Sequence, residues 1–540
     1  MRVLISDELS PEAKGILERI PGAQVEVRPG LPAAALREII GGYEALAVRS
    51  TTQVTAELLA AATRLRVIGR AGTGVDNIDL AAATRRGIVV MNAPGGNSVS
   101  VAEHTLALLL ALARSVADAS QSTRAGKWEK KKYSSGRELS GKTLGVVGTG
   151  NIGQLVVVRA KAFGMKVIAY DPFLSADAAA KLGVELTDLP GIFRRADAIT
   201  LHVPLTEQTK NMVSAQTLAQ MKPGALLVNC ARGGLVDERA VADALRSKHL
   251  GGAALDVFET EPPARDHPLF SCENFIATPH LGGSTEDAQQ SVAVIVCEAM
   301  VEYLTTGTIR NALNVPSVSG EVLERLGPFL RLAGKLGAFA AQFALQGEGA
   351  AAPEEIEISY AGEVAQHPTA PLTAAVLKGV LSTFLAEAVN EVSAPALAHE
   401  RGLSVREIKT SETPDFASLL TLRLRCRKMH STGEMHTTEV SGTIVGKREP
   451  RLVRVDGLDI EAVPDGFMVV VHNDDAPGVI GNVGKTLGEA KVNIAQFALA
   501  RDRARGEALA LVNVDSSVPA EVLDRLRRLP NVRRVHQVKL

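Results

Sequence analysis

Short apolar runs alternate with helical stretches over the first part of the chain. Between Met1 and about Pro94, the runs VLISD, AQVEV, ALAVRS, RVIG and IVVMN are separated by Ala- and Leu-rich segments such as residues 56–63. Alternation of short apolar strands with helices is typical of a parallel sheet whose two faces are covered by helices. The first part of the chain is therefore predicted to form a parallel α/β domain.

The same alternation restarts further along the chain. The runs TLGVVG, KVIAYD, AITLHV, LLVNCA, GAALDVF and FIATPH predict about six more strands. A helical pattern through TLALLLALARSVADA, with Ser98 or Ser100 as its N-cap, would connect the two units as one long helix. A later helical stretch would return the chain to the first unit. We expect two doubly wound parallel-sheet domains, one built from residues 1–97 and 285–314 and the other from residues 98–284.

A different pattern follows in the later part of the chain. One Ala-rich helix is predicted from Leu326 to Leu345, and another helix from Leu372 to about Ala394. Apolar residues alternate on a two-residue period at positions 356–360 and again at 420–424, which is typical of strands. Residues 317–464 are therefore predicted to form an α+β domain.

Residues 467–540 show the order strand, helix, strand, strand, helix, strand. The four strands are FMVVVH, NIAQFALA, EALALVNV and VRRVHQVKL, and the two helices are VIGNVGKTLGEA and AEVLDRLRRL. This order predicts a ferredoxin-like unit at the end of the chain.

Composition and charge narrow the class of protein. The 59 basic and 60 acidic residues leave a net charge of -1, which removes the electrostatic attraction that nucleic-acid binders normally show. No apolar run approaches the roughly 20 residues of a membrane span, and the N-terminus lacks the apolar core of a secretory signal. Four scattered cysteines are too few for a disulfide framework or a zinc cluster. We expect a cytoplasmic protein with a small-molecule partner, no nucleic-acid or membrane partner and no metal.

A glycine-rich turn carries the first chemical signal. Gly148, Gly150 and Gly153 follow the predicted strand TLGVV and precede a helical pattern. The first glycine permits a tight turn, the second lets the backbone approach a pyrophosphate, and the third lets the helix pack on the strand. The next strand ends in Asp171, whose carboxylate can accept hydrogen bonds from the ribose hydroxyls of NAD. Together these residues predict an NAD site, whereas the glycines alone would also be compatible with an ordinary turn.

Three ionisable residues follow predicted strand ends of the same domain. Arg232 follows LLVNCA, Glu261 follows GAALDVF, and His280 follows FIATP. Ligands of open α/β sheets bind at the carboxyl ends of the strands, so the three side chains can meet in one cleft. Hydride transfer from a hydroxy acid needs a base for the hydroxyl proton and a cation for the carboxylate. His280 suits the first task and Arg232 the second, and Glu261 would stabilise the protonated imidazole; a surface Arg232–Glu261 ion pair beside a loop histidine is the alternative.

Several motifs add a family resemblance to this interpretation. The stretches GRAGTGVDNID, GTGNIG, NCARGGLVDE, ALDVFETEPP and PHLGGST are similar to those of the D-isomer-specific 2-hydroxyacid dehydrogenase family, and the chain resembles its long members with two further C-terminal domains. The resemblance implies a Rossmann nucleotide domain inserted in a flavodoxin-like substrate domain, and a catalytic role for Arg232, Glu261 and His280. It also implies a group of residues near the dinucleotide: Thr73, Asn151, Ile152, Val203, Cys230 and Asp256. Val203 stands where the family often has Thr.

Two arginines of the first domain add positive charge to the cleft. Arg49 in AVRST and Arg70 in GRAGTG follow predicted strand ends, and arginine suits bidentate contacts to phosphate. The resemblance implies that Arg49, Ser50, Arg70 and Asn97 contact the substrate. The implied activity is NAD-dependent oxidation of D-3-phosphoglycerate to 3-phosphohydroxypyruvate, the first step of L-serine biosynthesis. The alternatives are a dehydrogenase for another D-2-hydroxy acid and an NAD-sensing scaffold similar to the transcriptional corepressors that share this core.

A second basic group surrounds the single tryptophan of the chain. Lys127 and the run Lys130 to Lys132 flank Trp128. These lysines would either reach the site of a neighbouring subunit or form a solvated loop, and the sequence leaves both interpretations open.

The C-terminal unit resembles the ACT family of small regulatory domains, which commonly bind amino acids between two copies. The similar stretch is HNDDAPGVIGNVGKTLGEAKVNIAQFALAR. The resemblance implies that Asn473, Asp475 and Asn493 bind an effector, L-serine. The alternative is a unit that only dimerises, with these polar residues capping the helix. Either interpretation implies a homo-oligomer, a dimer or a tetramer.

Overall fold

The computed structural model describes residues 1–316, 320–345, 350–385, 389–413, 415–428, 435–446, 448–502, 504 and 506–540.

The first domain is a parallel sheet with helices on both faces. The first strands are β1 (Arg2–Ile5), β2 (Gln24–Val27), β3 (Ala45–Val48), β4 (Val67–Arg70) and β5 (Val89–Met91). The helices between them are α1 (Glu12–Leu17), α2 (Ala33–Ile39), α3 (Ala56–Ala61) and α4 (Leu80–Arg85). The strands pair in parallel in the order β2-β1-β3-β4-β5, so the predicted parallel α/β architecture is confirmed.

The connection to the second domain is two helices, not the single long helix that the apolar pattern predicts. Helix α5 (Ser98–Ala113) and helix α6 (Val116–Arg124) meet at Ser115, whose φ of 48° is left-handed. A right-handed helix cannot continue through such a residue. Neither Ser98 nor Ser100 is the N-cap of α5, because Asn97 occupies that position, without a capping hydrogen bond from its side chain.

The second domain is a larger parallel sheet. Its strands are β6 (Thr143–Val147), β7 (Lys166–Tyr170), β8 (Glu185–Leu186), β9 (Ala198–Leu201), β10 (Ala225–Asn229), β11 (Leu250–Leu255) and β12 (Phe275–Ala277). Its helices are α7 (Asn151–Ala162), α8 (Ala176–Leu182), α9 (Leu189–Arg195), α10 (Ala215–Leu218) and α11 (Glu238–Arg246). The order is β12-β11-β10-β9-β6-β7-β8, with the short β8 added to the predicted strands. The order reverses beside β6, at the point where open α/β sheets bind their ligands.

Helix α12 (Glu286–Thr306) carries the chain back to the first sheet. Val292, Val296 and Met300 of α12 are buried in one apolar cluster with Val3 and Val67 of β1 and β4. The chain then bonds to the last strand of that sheet, where the Asn314 side chain accepts from the Val90 amide at 2.9 Å. The first domain is therefore built from residues that precede the second domain in the sequence and residues that follow it.

The third domain is a mixed sheet covered by helices on one face. Its helices are α13 (Gly320–Ala344), α14 (Ala370–Phe384) and α15 (Ala394–Glu400). Its strands are β13 (Ala350–Gly362), β14 (Ser404–Thr410), β15 (Ser418–Lys428), β16 (Met435–Val445), β17 (Glu449–Val455) and β18 (Leu458–Ala462). The order is β14-β13-β15-β16-β17-β18. The predicted alternation is confirmed, because Ile356, Ile358 and Tyr360 of β13 face the core, as do the residues at the predicted positions of β15, Leu420, Leu422 and Leu424.

The predicted helix from Leu372 to about Ala394 is wrong in its second half. The helix ends at Phe384, residues 386–388 lie outside the described residues, and a new helix begins at Ala394. Between them, the Asn390 carboxamide oxygen accepts hydrogen bonds from the amides of Val392 and Ser393, both at 3.0 Å. Such a local bond competes with helical bonding.

The fourth domain is the predicted ferredoxin-like unit. Its strands are β19 (Phe467–Asp474), β20 (Ile494–Asp502), β21 (Glu507–Val514) and β22 (Val532–Lys539), and its helices are α16 (Val479–Glu489) and α17 (Ala520–Arg527). The strands pair antiparallel in the order β20-β21-β19-β22. The helices cover one face, and the other packs against α13, where Phe343 contacts the rings of His472 and His536.

Within the part of the chain that the structure describes, no single helix has the length and apolarity to cross a membrane. The two helices Ser98–Ala113 and Val116–Arg124 reach that length and apolarity only when they are taken together, and the angle between them is 66°. Among the described residues, no three His, Cys, Asp or Glu side chains are placed to share a metal ion.

Candidate active site

The glycine-rich turn between β6 and α7 has the geometry of a pyrophosphate cradle. Gly148 has a φ of 90°, and a Cβ there would overlap the carbonyl oxygen of His202. A Cβ on Gly153 would overlap the carbonyl oxygen of Gly148, so this glycine allows α7 to lie directly on the turn. Gly150 is the N-cap of α7, and a Cβ there would meet nothing within 4 Å. Open space at the N-terminus of a helix suits an anion, so the turn fits the dinucleotide pyrophosphate.

Asp171 follows β7 beside this turn. Its Oδ2 atom accepts hydrogen bonds from the amide and the hydroxyl of Thr149, at 2.7 and 2.8 Å, and its Oδ1 atom accepts from the Phe173 amide at 2.9 Å. Burial alone would raise the pKa of the Asp171 carboxyl, but the bonds from Thr149 and Phe173 outweigh it and lower the pKa. The group is thus an anchored carboxylate with lone pairs left for ribose hydroxyls.

The other residues predicted near the dinucleotide lie beside the glycine-rich turn, next to Asn97, or buried below the cleft. Asn151 and Ile152 form the first turn of α7, and Val203 lies against Gly148. Thr73 donates to the Asn97 carboxamide oxygen at 2.8 Å. The remaining two are Cys230 and Asp256, whose side chains are buried below the cleft. Burial raises the pKa of the Cys230 thiol to about 12, so the thiol is uncharged.

Glu261 and His280 are in direct contact. The Nδ1 atom of His280 lies 2.8 Å from Oε2 of Glu261, and Oε1 of Glu261 accepts from the Phe258 amide at 3.0 Å. Because a carboxylate only accepts, Nδ1 carries the hydrogen and Nε2 is the nitrogen that can take a proton. Both residues line a cavity of about 540 Å³ with Phe258 and Phe270. The arrangement provides a general base held in one tautomer.

The loop that carries His280 is fastened to Asp256. The His280 amide donates to the Asp256 carbonyl oxygen at 2.9 Å, and the Asp256 carboxylate accepts from the Thr278 hydroxyl at 2.5 Å and from the amides of Leu281 and Gly282, both at 2.8 Å. His280 itself has a φ of 54°. A left-handed backbone at a non-glycine residue is strained and persists where the surroundings over-determine it. Asp256 supplies that constraint.

Arg232 pairs with Asp76 across the cleft, not with Glu261. Its Nε atom lies 3.3 Å from the Asp76 carboxylate, and its guanidinium covers Gly74, where a Cβ would overlap it. The alternative of a surface Arg232–Glu261 pair beside a satisfied loop histidine is therefore wrong, since Glu261 contacts His280. Asp76 is mostly exposed and belongs to the first domain, so a substrate carboxylate can compete with it for Arg232.

Arg70 and Arg49 extend this positive region into the first domain. Burial and the like charges of Arg232 and Arg49 lower the pKa of the Arg70 guanidinium, against the opposing effect of Asp76. The buried Nε of Arg70 has no hydrogen-bond partner within the part of the chain that the structure describes. An unpaired buried donor among like charges favours an incoming anion. Arg49 and Arg232, from different domains, both act on this one group.

The remaining predicted substrate residues lie on the same side of the first domain. Ser50 is exposed directly after Arg49. Asn97 is oriented by Thr73 and lies against Gly283, where a Cβ would come 2.6 Å from its amide nitrogen. Asn97 thus connects the first domain to the loop that follows His280.

Several residues that position this site were not predicted from the sequence. Asp7, buried at the end of β1, accepts from the amide of Arg49 at 2.6 Å and from the hydroxyl of Thr52 at 2.6 Å, which fixes the Arg49 loop. His104 of α5 lies 3.1 Å from the Thr278 hydroxyl and 3.3 Å from the Asp256 carboxylate. The position of Asp7 after an apolar strand was a usable signal. His104 lies inside a helical pattern and offered none.

The basic loop around Trp128 is exposed. Trp128 has 84% of its surface accessible, and Lys127 and Lys130 to Lys132 are exposed as well. In the single chain this loop is solvated, and the prediction that its lysines reach a neighbouring subunit stays a prediction.

The three predicted effector residues do not meet within one chain. Asn473 is buried, and its carboxamide oxygen has no hydrogen-bond partner among the described residues. Asp475 pairs with Arg501 at 2.7 Å, and Asn493 donates to Asp515 at 2.7 Å. Asp475 does not cap α16, whose N-cap is Gly478.

Strand register shows how far apart these residues are. In β21, Ala508 lies opposite Asn473, whereas Val514 lies opposite Ile494, the residue after Asn493. At about 3.3 Å per residue, the two ends of β21 are roughly 20 Å apart. Asn473 and Asn493 can therefore share one small ligand only if they come from two copies.

The fold and the site define a 2-hydroxyacid dehydrogenase. Residues 106–282 match the family model described as D-isomer specific 2-hydroxyacid dehydrogenase, NAD binding domain. Residues 325–456 match the D-3-phosphoglycerate dehydrogenase intervening domain, and residues 467–531 match the ACT domain. A solved structure of NAD-dependent formate dehydrogenase from Staphylococcus aureus in complex with NAD is 29% identical, with a TM-score of 0.53 over 59% of this chain and 100% of that chain.

Full-length relatives narrow the class further. The chain is 41% identical over 541 residues to D-3-phosphoglycerate dehydrogenase from Methanocaldococcus jannaschii, covering 100% of both chains. It is 41% identical over 540 residues to D-3-phosphoglycerate dehydrogenase from Synechocystis, covering 100% of this chain and 95% of the relative. The chain belongs to the D-3-phosphoglycerate dehydrogenase family. The predicted family, fold class and NAD cofactor are confirmed.

Proposed function

We propose that this chain catalyses the NAD-dependent oxidation of D-3-phosphoglycerate to 3-phosphohydroxypyruvate, the first step of L-serine biosynthesis. The observation that carries the proposal is the meeting of Arg49, Arg70 and Arg232, with an unpaired buried donor on Arg70. A substrate with a carboxylate and a phosphate supplies two anions to this positive region. The four cysteines are free, as expected in the reducing cytoplasm, where we place the protein.

We assign the ligands to the domains as follows. Residues 1–97 and 285–314 hold the substrate, and residues 98–284 hold NAD. Residues 317–464 form the intervening domain, of which 317–319 lie outside the described residues, and residues 467–540 form the regulatory unit. The catalytic cleft lies between the first two, where Arg232 of one contacts Asp76 of the other.

The site residues divide the reaction between them. When bound, NAD supplies the hydride acceptor. Arg232 holds the substrate carboxylate, and the hydride leaves C2 as the hydroxyl proton passes to Nε2 of His280. Glu261 keeps the hydrogen of His280 on Nδ1 and stabilises the imidazolium that forms. The turn at Gly150 and the carboxylate of Asp171 hold the pyrophosphate and the ribose.

Phosphate recognition belongs to Arg49 and Arg70. The backbone amide of Arg49 donates to the Asp7 carboxylate, which holds the Arg49 backbone in place. The guanidinium of Arg49 is therefore not needed to fix the loop and can contact the phosphate. Arg70 is more deeply placed and has a donor available. A bidentate arginine contact distinguishes a phosphorylated substrate from D-glycerate or D-lactate, which lack the phosphate.

Steady-state kinetics test the proposal. Formation of reduced nicotinamide is measured with D-3-phosphoglycerate, D-glycerate and D-lactate, for the wild type, Arg49→Ala and the control Arg37→Ala, an exposed residue of α2. Arg49→Ala should lower kcat/KM for D-3-phosphoglycerate by about 10-fold to 10³-fold, because a charge-assisted contact is lost, and leave D-glycerate turnover unchanged. Arg37→Ala should match the wild type.

Two results would favour the alternatives. A wild type that turns over D-lactate or D-glycerate faster than D-3-phosphoglycerate would indicate a dehydrogenase for another D-2-hydroxy acid. A wild type that binds NAD but oxidises none of the three would favour the NAD-sensing scaffold.

We propose further that two copies of the C-terminal unit bind L-serine between them. The roughly 20 Å separation of Asn473 from Asn493 along β21 supports a site shared across an interface, and Asp475 would contribute from the same end as Asn473. The free carboxamide oxygen of Asn473 suits the amino group of the ligand. Such a site requires a homo-oligomer, a dimer or a tetramer.

The effector proposal has its own test. L-serine should lower the activity of the wild type and raise its melting temperature, and D-serine should do neither. Asn493→Ala should abolish both effects without changing the activity measured in the absence of serine. An L-serine response that survives Asn493→Ala would remove this residue from the site, and the absence of any response would leave the unit as a dimerisation module.

A further inference from the structure

We propose that Glu238 and His267 form a clamp that positions the catalytic carboxylate of Glu261. The inference rests on the proposed function, because it assigns these residues to the same reaction. Glu238 is the first residue of α11, and His267 follows the loop that contains Glu261. Both residues line a different cavity from the one that Glu261 and His280 line, so both act as positioning residues.

The Glu238 carboxylate joins the two ends of the Glu261 loop. Its Oε1 atom accepts from the amide of Glu259 at 2.8 Å, and its Oε2 atom lies 2.8 Å from Nε2 of His267. Because a carboxylate only accepts, Nε2 of His267 carries the hydrogen. One side chain therefore fixes the loop before and after Glu261, so that the segment between residues 259 and 267 is closed at its base.

Burial distinguishes this pair from an ordinary surface ion pair. The side chains of Glu238 and His267 are only 12% and 13% exposed. The Nδ1 atom of His267 is buried without a hydrogen-bond partner among the residues that the structure describes. Burying such groups is costly, and surface pairs contribute little to stability, so a function in holding the loop explains their placement better than stability alone.

The clamp reaches Glu261 through an aromatic contact. The His267 ring packs edge-on against the Phe258 ring, with centroids 5.6 Å apart and an interplanar angle of 81°. The amide of Phe258 donates to Oε1 of Glu261 at 3.0 Å, and the other oxygen of Glu261 holds His280. A shift of Phe258 therefore moves the carboxylate that sets the tautomer and orientation of the base.

The same clamp is connected to the segment that carries Arg232. A Cβ on Gly233, the next residue, would overlap the carbonyl group of Phe258, so the two segments lie in backbone contact. Glu238 follows Gly233 closely along the chain and bonds the amide of Glu259. Loosening Glu238 therefore separates the segments of Arg232 and Glu261, whose spacing the reaction needs.

The test compares Glu238→Ala, His267→Ala and their double variant with the control Asp243→Ala. Asp243 lies on α11, is 77% exposed and pairs with Arg246 at 3.3 Å, so its loss removes the same charge from the same helix and leaves both bonds of Glu238 in place. The measurements are melting temperature, kcat, both KM values, and the primary deuterium isotope effect on kcat with the substrate deuterated at C2. The substrate is whichever of the three hydroxy acids the wild type oxidises fastest.

A clamp predicts a specific pattern. Glu238→Ala should lower kcat by about 10-fold to 10²-fold, since small misplacements of catalytic groups have effects of this size, with KM values within about threefold of the wild type. The isotope effect on kcat of Glu238→Ala should be well above one, because the slowed hydride transfer then limits turnover. The double variant should be no slower than the slower single variant, since the two residues act as one unit.

Other results would overturn the inference. A folded Glu238→Ala protein with kcat within about twofold of the wild type would do so, and so would a lower kcat with an isotope effect near one, because a step other than hydride transfer would then limit turnover. If Glu238→Ala does not fold, the same criteria apply to His267→Ala, which removes one of the two bonds of Glu238 and leaves the other in place. Preference for D-lactate would contradict only the proposed substrate, whereas an unaffected Glu238 variant would contradict only the clamp.

Discussion

Replacing Asp171 with Asn should reduce the preference of the enzyme for NAD over NADP. The carboxylate is held by Thr149 at 2.7 and 2.8 Å and by the Phe173 amide at 2.9 Å, so it cannot turn away from a 2′-phosphate on the ribose. The pKa of this carboxyl is lowered, so it is charged at neutral pH. Residues 172–175 contain no Lys or Arg that would neutralise a phosphate.

The size of the effect follows from the charge separation. Two unit charges about 4 Å apart repel by about 1 kcal/mol in water and by about 4 kcal/mol at the effective dielectric constant near a protein surface. Since 1.4 kcal/mol corresponds to a factor of ten, the wild type should favour NAD by about 5-fold to 10³-fold in kcat/KM. Asn keeps the shape of the side chain but removes the charge, so most of this discrimination should disappear in Asp171→Asn.

Steady-state kinetics with both cofactors provide the assay. The ratio of kcat/KM for NAD to that for NADP is compared among the wild type, Asp171→Asn and Asp177→Asn. Asp177 lies in the first turn of α8 and is exposed, so its loss changes the net charge equally without touching the turn. An unchanged ratio in a folded Asp171→Asn protein, or an equal change in Asp177→Asn, would refute the assignment of Asp171 to the ribose.

Three further predictions follow from the contacts in the structure. Gly153→Ala should lower the melting temperature, because its Cβ would overlap the Gly148 carbonyl, whereas Gly150→Ala should leave the melting temperature nearly unchanged and raise KM for NAD. Asp76→Asn should lower KM for the hydroxy acid by up to about fivefold, because an exposed competitor for Arg232 is lost; an unchanged KM would contradict that competition. Burial lowers the pKa of His536 to about 3, below that of the unfolded chain, so acidification from about pH 7 to about pH 5 should reduce the free energy of unfolding, on the order of a few kcal/mol. In thermal unfolding, His536→Leu should lose less stability on this acidification than the exposed control His399→Leu.

The sign of the acid effect depends on which form of His536 the fold prefers. Burial and the neighbouring His472, Arg527 and Arg534 disfavour the charged imidazole in the folded chain. Burial also lowers the pKa of His472, to about 4, and the two rings lie 6.2 Å apart. The unfolded chain therefore binds more protons once the pH falls below about 6.5, and stability decreases towards lower pH.

The pattern of apolar residues along the sequence was sufficient to predict most of the fold, since buried strands produce apolar runs that can be recognised without tertiary information. The prediction failed where a single residue or a distant partner ends a helix. Ser115 adopts a left-handed conformation inside an otherwise continuous helical pattern. The Asn390 side chain turns the chain after α14 and also donates to the Gly87 carbonyl at 2.8 Å, a partner in another domain. Neither event leaves a periodic signal in the sequence.

The candidate site divides in the same way. The contact between His280 and Glu261 could be predicted, because residues at the carboxyl ends of adjacent parallel strands are brought together by topology alone. The partner of Arg232 could not, because Asp76 belongs to another domain and its distance depends on how the two domains meet. His104 shows the same limit, since its contact with Asp256 depends on the angle at which α5 crosses the second sheet.

The positioning residues share a physical property that explains why their task escapes prediction from the sequence. Asp7, Asp256 and Glu238 each use one carboxylate to accept two or more hydrogen bonds from a loop that carries a functional group. Such a carboxylate must be nearly buried to exclude water, and it must be adjacent in space to a loop that is remote in sequence. Its identity as Asp or Glu is visible in the sequence, but its task depends on the loop it meets. The positions of Arg232, Glu261 and His280 are therefore predicted from strand ends, whereas the contacts that hold these residues in place are found only when the sheets are assembled.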